Sequence, residues 1–349
     1  MKGFEHLFAP IPRFPNDRVE HAVARAYEAM ASGVNKALAP VLADDVAFWI
    51  RGEPENLPFA GTWTGPQSVT RFTKLYSANV RDQVFRCRYS MLQEDDGGAV
   101  LMLFVSEEGI AAPTGKAFES ESVHEWRVDK AGRIGRFASW NNSFDFFQAF
   151  AAESVDPSLV YRHPLEEALA APTRTSAADA GAIVERFYRC LVGEDWNGLV
   201  DLMAPNVVST LEGVEGIVPF AGTYRGKDEA KRQALTFSRT EQAVVDNVMP
   251  RYVVDGNRAC ARFDEAGTYV FATGCGQYFT NLHCFGVNDA GLIETFRSYN
   301  DTWQVWLTSL PDEPRPAGVA VDLWKRHRRR PDRAPTAGSS NTSTERIRP

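Results

Sequence analysis

Apolar residues at Ala22, Val23, Ala26, Tyr27 and Met30 recur at intervals of one, three and four, which predicts an amphipathic helix near the start of the chain. Ile183, Val184, Phe187, Tyr188 and Leu191 repeat the pattern far downstream and predict a second such helix. Behind each comes a short apolar group, Leu38, Val41 and Leu42 or Leu199, Leu202 and Met203, read as a second short helix. The β-like stretches DVAFWI and NVVSTLE follow, then the loops PFAGTWTG (Pro58 to Gly65) and PFAGTYRG (Pro219 to Gly226). GPQSVTRFTKLYSAN and GKDEAKRQALTFSRT each predict a third helix. The rest of each half alternates or runs apolar, with β-branched and aromatic residues, and turns at EDDGG, DKAGR, VDGN and NDAG divide it into three or four strands.

The two halves are copies. A shift of 161 positions superposes Val23 on Val184, Tyr27 on Tyr188, Leu38 on Leu199, Val46 on Val207 and Gly61 on Gly222. Further on the shift is 159, bringing Gly115 onto Gly274, His124 onto His283, and FASWNNS onto FRSYNDT. A period this long is that of whole globular domains, not of a solenoid repeat. Each copy therefore reads as an α+β domain in which helices cover one face of a strongly curved antiparallel sheet. The expected layout is an N-terminal arm over 1–18, a domain over 19–150, an Ala, Pro and Thr-rich linker over 151–178, a domain over 179–310, and a largely disordered tail over 311–349. Inside the repeated loop, Pro58 and Pro219 stop the strand, Gly61 and Gly222 allow a left-handed bend, and Phe59 and Phe220 are expected in the core.

Composition narrows the function classes. A chain of 349 residues with formal charge −7 has no concentrated Lys and Arg for nucleic acid or an anionic membrane, apart from an Arg-rich run in the tail read as solvated. The start, MKGFEHLFAPIPRFP, lacks an apolar core for secretion, and no apolar run reaches membrane-spanning length, so a cytoplasmic protein is expected. Five cysteines without a CxxC pair predict neither a disulfide framework nor a zinc site. There is no GxGxxG after a strand, no P-loop and no Cys/His cluster, so no cofactor or metal is expected.

The order of elements, the PFAGT loop leading into a helix, the Thr-Gly before the strand bearing His124 or His283, and the closing GLIETFRSYNDT resemble the SnoaL-like branch of the NTF2-like superfamily over roughly 19–150 and 180–310. The resemblance implies two cone-shaped domains, each with three helices, packed as an intramolecular pseudo-dimer in a monomeric chain. It also implies a cofactor-independent cyclase or isomerase of polyketide-type metabolism acting on a small apolar substrate. An epoxide-opening enzyme and a non-catalytic module sheltering a hydrophobic ligand remain open beside it, because this fold hosts several chemistries.

On the closing strand of the second copy, Arg297, Tyr299 and Asp301 share one face and Phe296, Ser298 and Asn300 the other. The first set, Arg297, Tyr299 and Asp301, is expected inside the cone as catalytic candidates. The resemblance implies that Asp301 serves as acid and base. An inward His283 would relay its proton or polarise a carbonyl, and Arg297 with Asp301 would orient water in the epoxide-opening alternative. Capping of a helix beginning near Thr302 is the alternative for Asp301, and a structural hydrogen bond is the alternative for His283. Tyr278, Tyr269 and Tyr224 are candidate lining residues. In the first copy Asn142, Trp140 and Ala138 replace Asp301, Tyr299 and Arg297, so no carboxylate stands at that position. Its candidate substrate contacts are Trp140, Asn142, His124, Trp63 and Glu121. Glu119 and Glu121 share one strand face, which if inward makes one of them a base and if outward makes both a solvated charged face. Trp49 and Ile50, and Thr210 and Leu211, leave no first-strand base of the ketosteroid isomerase kind.

Overall fold

The computed structural model describes residues 17–151 and 179–302, apart from 53, 55, 56, 214–217, 245–250 and 271–274, and the side chains of 95, 242–244, 251, 264–270 and 275–280. The expected linker, the tail and nearly all of the N-terminal arm lie outside the described residues. The first half comprises α1 (Asp17–Ser32), β1 (Leu42–Ile50), β2 (Gly61–Thr64), α2 (Pro66–Asn79), β3 (Val80–Asp95), β4 (Gly98–Ala111), β5 (Ala117–Asp129), β6 (Ile134–Asn141) and α3 (Ser143–Phe150). The second comprises α4 (Ala180–Val192), α5 (Trp196–Asp201), β7 (Met203–Leu211), β8 (Gly222–Arg225), α6 (Lys227–Thr240), β9 (Glu241–Val244), β10 (Arg251–Asp255), β11 (Arg258–Val270), β12 (Cys275–Val287) and β13 (Ile293–Tyr299).

Each half is one mixed sheet. The strand orders are β2-β1-β6-β5-β4-β3 and β8-β7-β13-β12-β11-β10, with β9 also on β11. The expectation of a purely antiparallel sheet is corrected at one place in each half: β1 runs parallel to β6, and β7 parallel to β13. A long connection through the hairpin strand, a helix and the meander makes that parallel return possible. The second short helix is α5 in the second half but only a 3-10 turn, Ala39–Val41, in the first, where Pro40 removes a backbone donor.

The helices seat on the inner face of each curved sheet. In α1 the residues Val19, Ala22, Val23, Ala26, Tyr27, Ala29 and Met30 are buried. They meet Phe48, Phe85, Leu101, Leu103, Trp126 and Phe137 in one core. Burying a Val, Met or Phe in this way contributes roughly 1.5–3 kcal/mol, so the stripe outweighs the weak propensity of its Val and Tyr. The repeated loop does what its residues predict. Gly61 and Gly222 adopt φ of 98° and 126°, and Phe59 and Phe220 are buried against Tyr76 and Phe237.

The outer faces of the two sheets cover one another. Met91, Val100, Met102, Phe104, Val123 and Trp140 of the first half pack with Val253, Cys260, Leu282, Cys284 and Tyr299 of the second in a single apolar cluster. Ion pairs and hydrogen bonds edge it: Arg262 Nη1 to Glu125 Oε1 at 2.6 Å, Arg297 with both Glu121 and Glu212, and the backbone N–H of Leu92 to Asp255 Oδ2 at 3.1 Å. The buried Arg51 guanidinium donates to the carbonyls of Asn141, Asn300 and Tyr299. Two further bonds are related by the repeat itself, since Ser143 Oγ donates to Asp301 Oδ1 and Thr302 Oγ1 to Asn142 Oδ1. This is the isologous pairing of a symmetric dimer made within one chain. Among the described residues no helix is long and apolar enough to cross a membrane.

Candidate functional site

The inner face of the first sheet carries a polar group enclosed by rings. Alternation along β4 turns Leu101, Leu103, Val105 and Glu107 inward, and along β5 Ser120, Ser122, His124 and Trp126. Glu107 Oε1 accepts from Tyr76 Oη at 2.5 Å and from Gln83 Nε2 at 2.7 Å, and Oε2 accepts from Ser122 Oγ at 3.5 Å. Gln83 reaches the carboxyl because the register of β3 slips between Arg81 and Val84, where Asp82 takes φ 52°. His124 Nε2 lies 3.9 Å from Glu107 Oε2, and His124 Nδ1 lies 2.6 Å from Tyr27 Oη. Tyr76, Phe59, Phe150 and Phe118 follow one another in ring contact beside the carboxyl, and Phe85 and Phe137 flank the imidazole.

Burial sets the protonation states here. It pushes the Glu107 carboxyl up to about 7, against the bonds from Tyr76, Gln83 and Ser122, which favour the charged form. It holds the His124 imidazole down at about 3, so the ring is neutral at physiological pH. A carboxyl that exchanges its proton near neutrality therefore stands beside a neutral imidazole in an apolar enclosure. Asn141, on the same face through its pairing with Ser122, keeps a buried Oδ1 without a hydrogen-bond partner among the described residues.

The second inner face repeats the frame with different chemistry. His283 Nδ1 is 2.7 Å from Tyr188 Oη, as in the first copy, but His283 Nε2 is 2.9 Å from Asn281 Nδ2. Ser298 Oγ donates to Asn300 Oδ1 at 2.7 Å. Burial again holds the imidazole at about 3. The register position of Glu107, opposite Ser120, is held in the second sheet by Ala266, opposite Phe279.

The expected inward set on β13 is corrected. Phe296 packs inward with Phe187, Phe285 and His283, so Ser298 and Asn300 follow it and the alternate residues face out. Arg297 and Tyr299 therefore lie in the seam between the sheets, Arg297 on Glu212 at 2.7 Å and with its guanidinium over the Tyr299 ring at 4.5 Å. Asp301 is buried in that seam on Ser143, not in a cone. Trp140 and Glu121 share the seam, stacked against Arg51 and paired with Arg297 respectively, and Glu119 is exposed. Asn142 caps α3 by accepting from the Phe144 N–H at 3.2 Å, the role weighed for Asp301.

Of the remaining candidates, Trp63 packs on the first core with its Nε1 donating to Phe59 O at 3.0 Å, and Tyr224 is half-buried on β8. Tyr269 and Tyr278 lie on β11 and β12 with side chains outside the described residues. Among the described side chains, His124 and His283 are expected residues that face the cones. The sequence reading passed over Glu107, Tyr76 and Gln83. The signal available for Glu107 was its phase with Leu101, Leu103 and Val105 on a strand adjacent to that of His124.

Residues 184–295 match the model of the SnoaL-like domain family. The second half is a SnoaL-like domain. The first half repeats its element order, sheet order and parallel return, so the chain is a tandem of two domains of the NTF2-like fold. Similar solved structures include an NTF2-like protein from Burkholderia xenovorans LB400, 21% identical over 38% of this chain and 95% of its own, with TM-score 0.34. Another NTF2-like protein, from Burkholderia thailandensis E264, is 23% identical over 39% of this chain and 98% of its own, with TM-score 0.32. An LEH-like epoxide hydrolase of Mycobacterium tuberculosis is 19% identical over 37% of this chain and 87% of its own, with TM-score 0.30. No curated protein matches the chain.

Proposed function

We propose that the first SnoaL-like domain is a cofactor-independent acid–base catalyst of the cyclase or isomerase kind, moving a proton next to a carbonyl of a small apolar, polyketide-like substrate. The observation that carries this reading is the enclosed Glu107 carboxyl, which burial brings to about 7. A base poised there is deprotonated often enough to take a proton and acidic enough to return it. Tyr76 and Gln83 aim the carboxylate by binding one oxygen, and the neutral His124 is a polar neighbour for an oxygen that gains charge as the proton leaves. The aromatic lining suits fused or conjugated rings. The second domain, with amide and hydroxyl groups around His283, acts in this reading as a structural partner. The same proposal places the reaction in the cytoplasm and in specialised metabolism.

Exchange of α-protons of cyclic ketones and β-diketones with deuterated water, followed by NMR, tests it without knowledge of the natural substrate. The expected result is exchange that rises with pH around 7 and falls about a hundred- to ten-thousandfold in Glu107→Gln. Equal exchange by wild type and Glu107→Gln removes Glu107 from the chemistry. Binding of the probes without exchange makes the cone a shelter for a hydrophobic ligand instead.

A further inference from the structure

In both domains a helix tyrosine meets a strand histidine at Nδ1, yet the surrounding groups differ in a way that fixes where each ring carries its proton. In the second domain the backbone N–H of Leu282 donates to Asn281 Oδ1 at 2.9 Å, which sets the amide orientation. Asn281 Nδ2 is thereby placed against His283 Nε2, and an amide N–H can only donate. Nε2 is the acceptor, so the neutral ring carries its proton on Nδ1 and gives it to Tyr188 Oη.

In the first domain the position of Phe285 is held by Trp126, whose indole N–H donates to Tyr27 Oη at 3.4 Å. That donor takes one acceptor position of the phenol oxygen, which favours the phenol proton pointing to His124 Nδ1 at 2.6 Å. The His124 ring proton then sits on Nε2, toward Glu107 Oε2. An N–H facing a carboxylate is favoured electrostatically over a nitrogen lone pair facing it. The position of Asn281 is held by Ser122, which bonds to Glu107 and not to the ring.

We propose that Trp126 and Tyr27 are positioning residues that lock His124 in the Nε2–H tautomer, a hydrogen-bond donor held beside Glu107, whereas Asn281 locks His283 in the Nδ1–H tautomer. Taken with the proton-transfer reading, on which only this consequence rests, His124 donates to the substrate carbonyl oxygen while Glu107 takes the proton. The 3.9 Å gap between the two groups is longer than a hydrogen bond and leaves the Nε2–H for a substrate oxygen. His283 has both ring nitrogens engaged and has no donor for its own cone.

Side-chain 15N NMR of the full chain reads tautomers directly, with the two buried rings told apart by His283→Gln. The expected spectra show His124 protonated at Nε2 and His283 at Nδ1, both pH-independent through neutrality. Trp126→Phe, which installs the residue the second copy carries there, is expected to convert His124 to a mixture of tautomers and to lower ketone exchange through kcat. Wild-type His124 protonated at Nδ1 overturns the proposal without recourse to any variant. So does Trp126→Phe with His124 still wholly Nε2–H. The expected tautomers in a wild type that exchanges no ketone proton would support the relay while sinking the reaction.

Discussion

Glu107 is a residue where burial and hydrogen bonding act in opposite senses, and its pH dependence separates them. Its folded value of about 7 lies above the ordinary 4.5, so its contribution to stability is full below pH 4.5 and is lost as pH rises to about 7. His124 and His283, held at about 3 against an ordinary 6.5, behave in the opposite sense: their contribution is full above pH 6.5 and is lost as pH falls toward 3. Between pH 7 and 4.5 the two histidines together cost about 5 kcal/mol, and Glu107 returns about 3 kcal/mol of it, at 1.36 kcal/mol per pKa unit. Urea denaturation at the two pH values is therefore expected to show Glu107→Gln losing about 3 kcal/mol more than wild type on acidification. Parallel loss in both proteins would mean that Glu107 titrates normally and is no poised base. At the same scale Asp301 separates scaffold from chemistry: Asp301→Asn is expected to leave ketone exchange within about twofold of wild type, because its carboxylate bonds to Ser143 in the seam. A loss approaching that of Glu107→Gln would return Asp301 to the mechanism.

At the scale of elements, much of the fold was legible in the sequence and the site was not, for one reason. Helix stripes and loop glycines report local geometry, so α1, α4 and the PFAGT bends follow from spacing alone. Which face of a strand meets the helices depends on what lies across it, and a sequence copy whose outer face is also buried alternates apolar residues on both sides. β13 shows this: Phe296 and Tyr299 are both buried, one in the cone core and one in the seam, so alternation could not say which face Asp301 follows. The Gln83 contact depends on a bulge that no residue type announces. α3 gives a test at this scale, since it places Phe146 and Phe150 over the ring-lined end of the first cone and is capped by Asn142. Asn142→Ala is expected to cost about 1 kcal/mol, the usual worth of such a cap, and to speed amide exchange in 144–150 about fivefold. Unchanged exchange there would show that Thr302, which also accepts from the Phe144 N–H, suffices as the cap.

At the scale of the whole molecule, duplication within one chain permits something a homodimer cannot do. Residues related by a true two-fold axis are identical, so a charge near the axis faces its like; here the position of Arg51 is held in the second copy by Glu212, and opposite charges share the seam. Arg297 is the centre of that arrangement, lying between Glu121 of the first domain and Glu212 of its own. All three are buried, and burial already pushes the Glu212 carboxyl well above its ordinary range against the pull of Arg51. Removing Arg297 takes the ion-pair partner from two enclosed carboxyls, a defect that costs about 3–5 kcal/mol in comparable buried pairs. Arg297→Met is expected to lose stability on that scale, and adding Glu121→Gln and Glu212→Gln is expected to recover at least half of it, since the penalty is uncompensated charge and not lost packing. Failure of the double replacement to rescue would place the cost in the stacking of the guanidinium on Tyr299 instead. Because each sheet spends its outer face on the other, the wild-type chain is also expected to scatter light as a single copy at micromolar concentration. A mass of two chains would require another surface for self-association, and the Arg297→Met variant would show whether loosening the seam frees the sheet faces to pair between molecules.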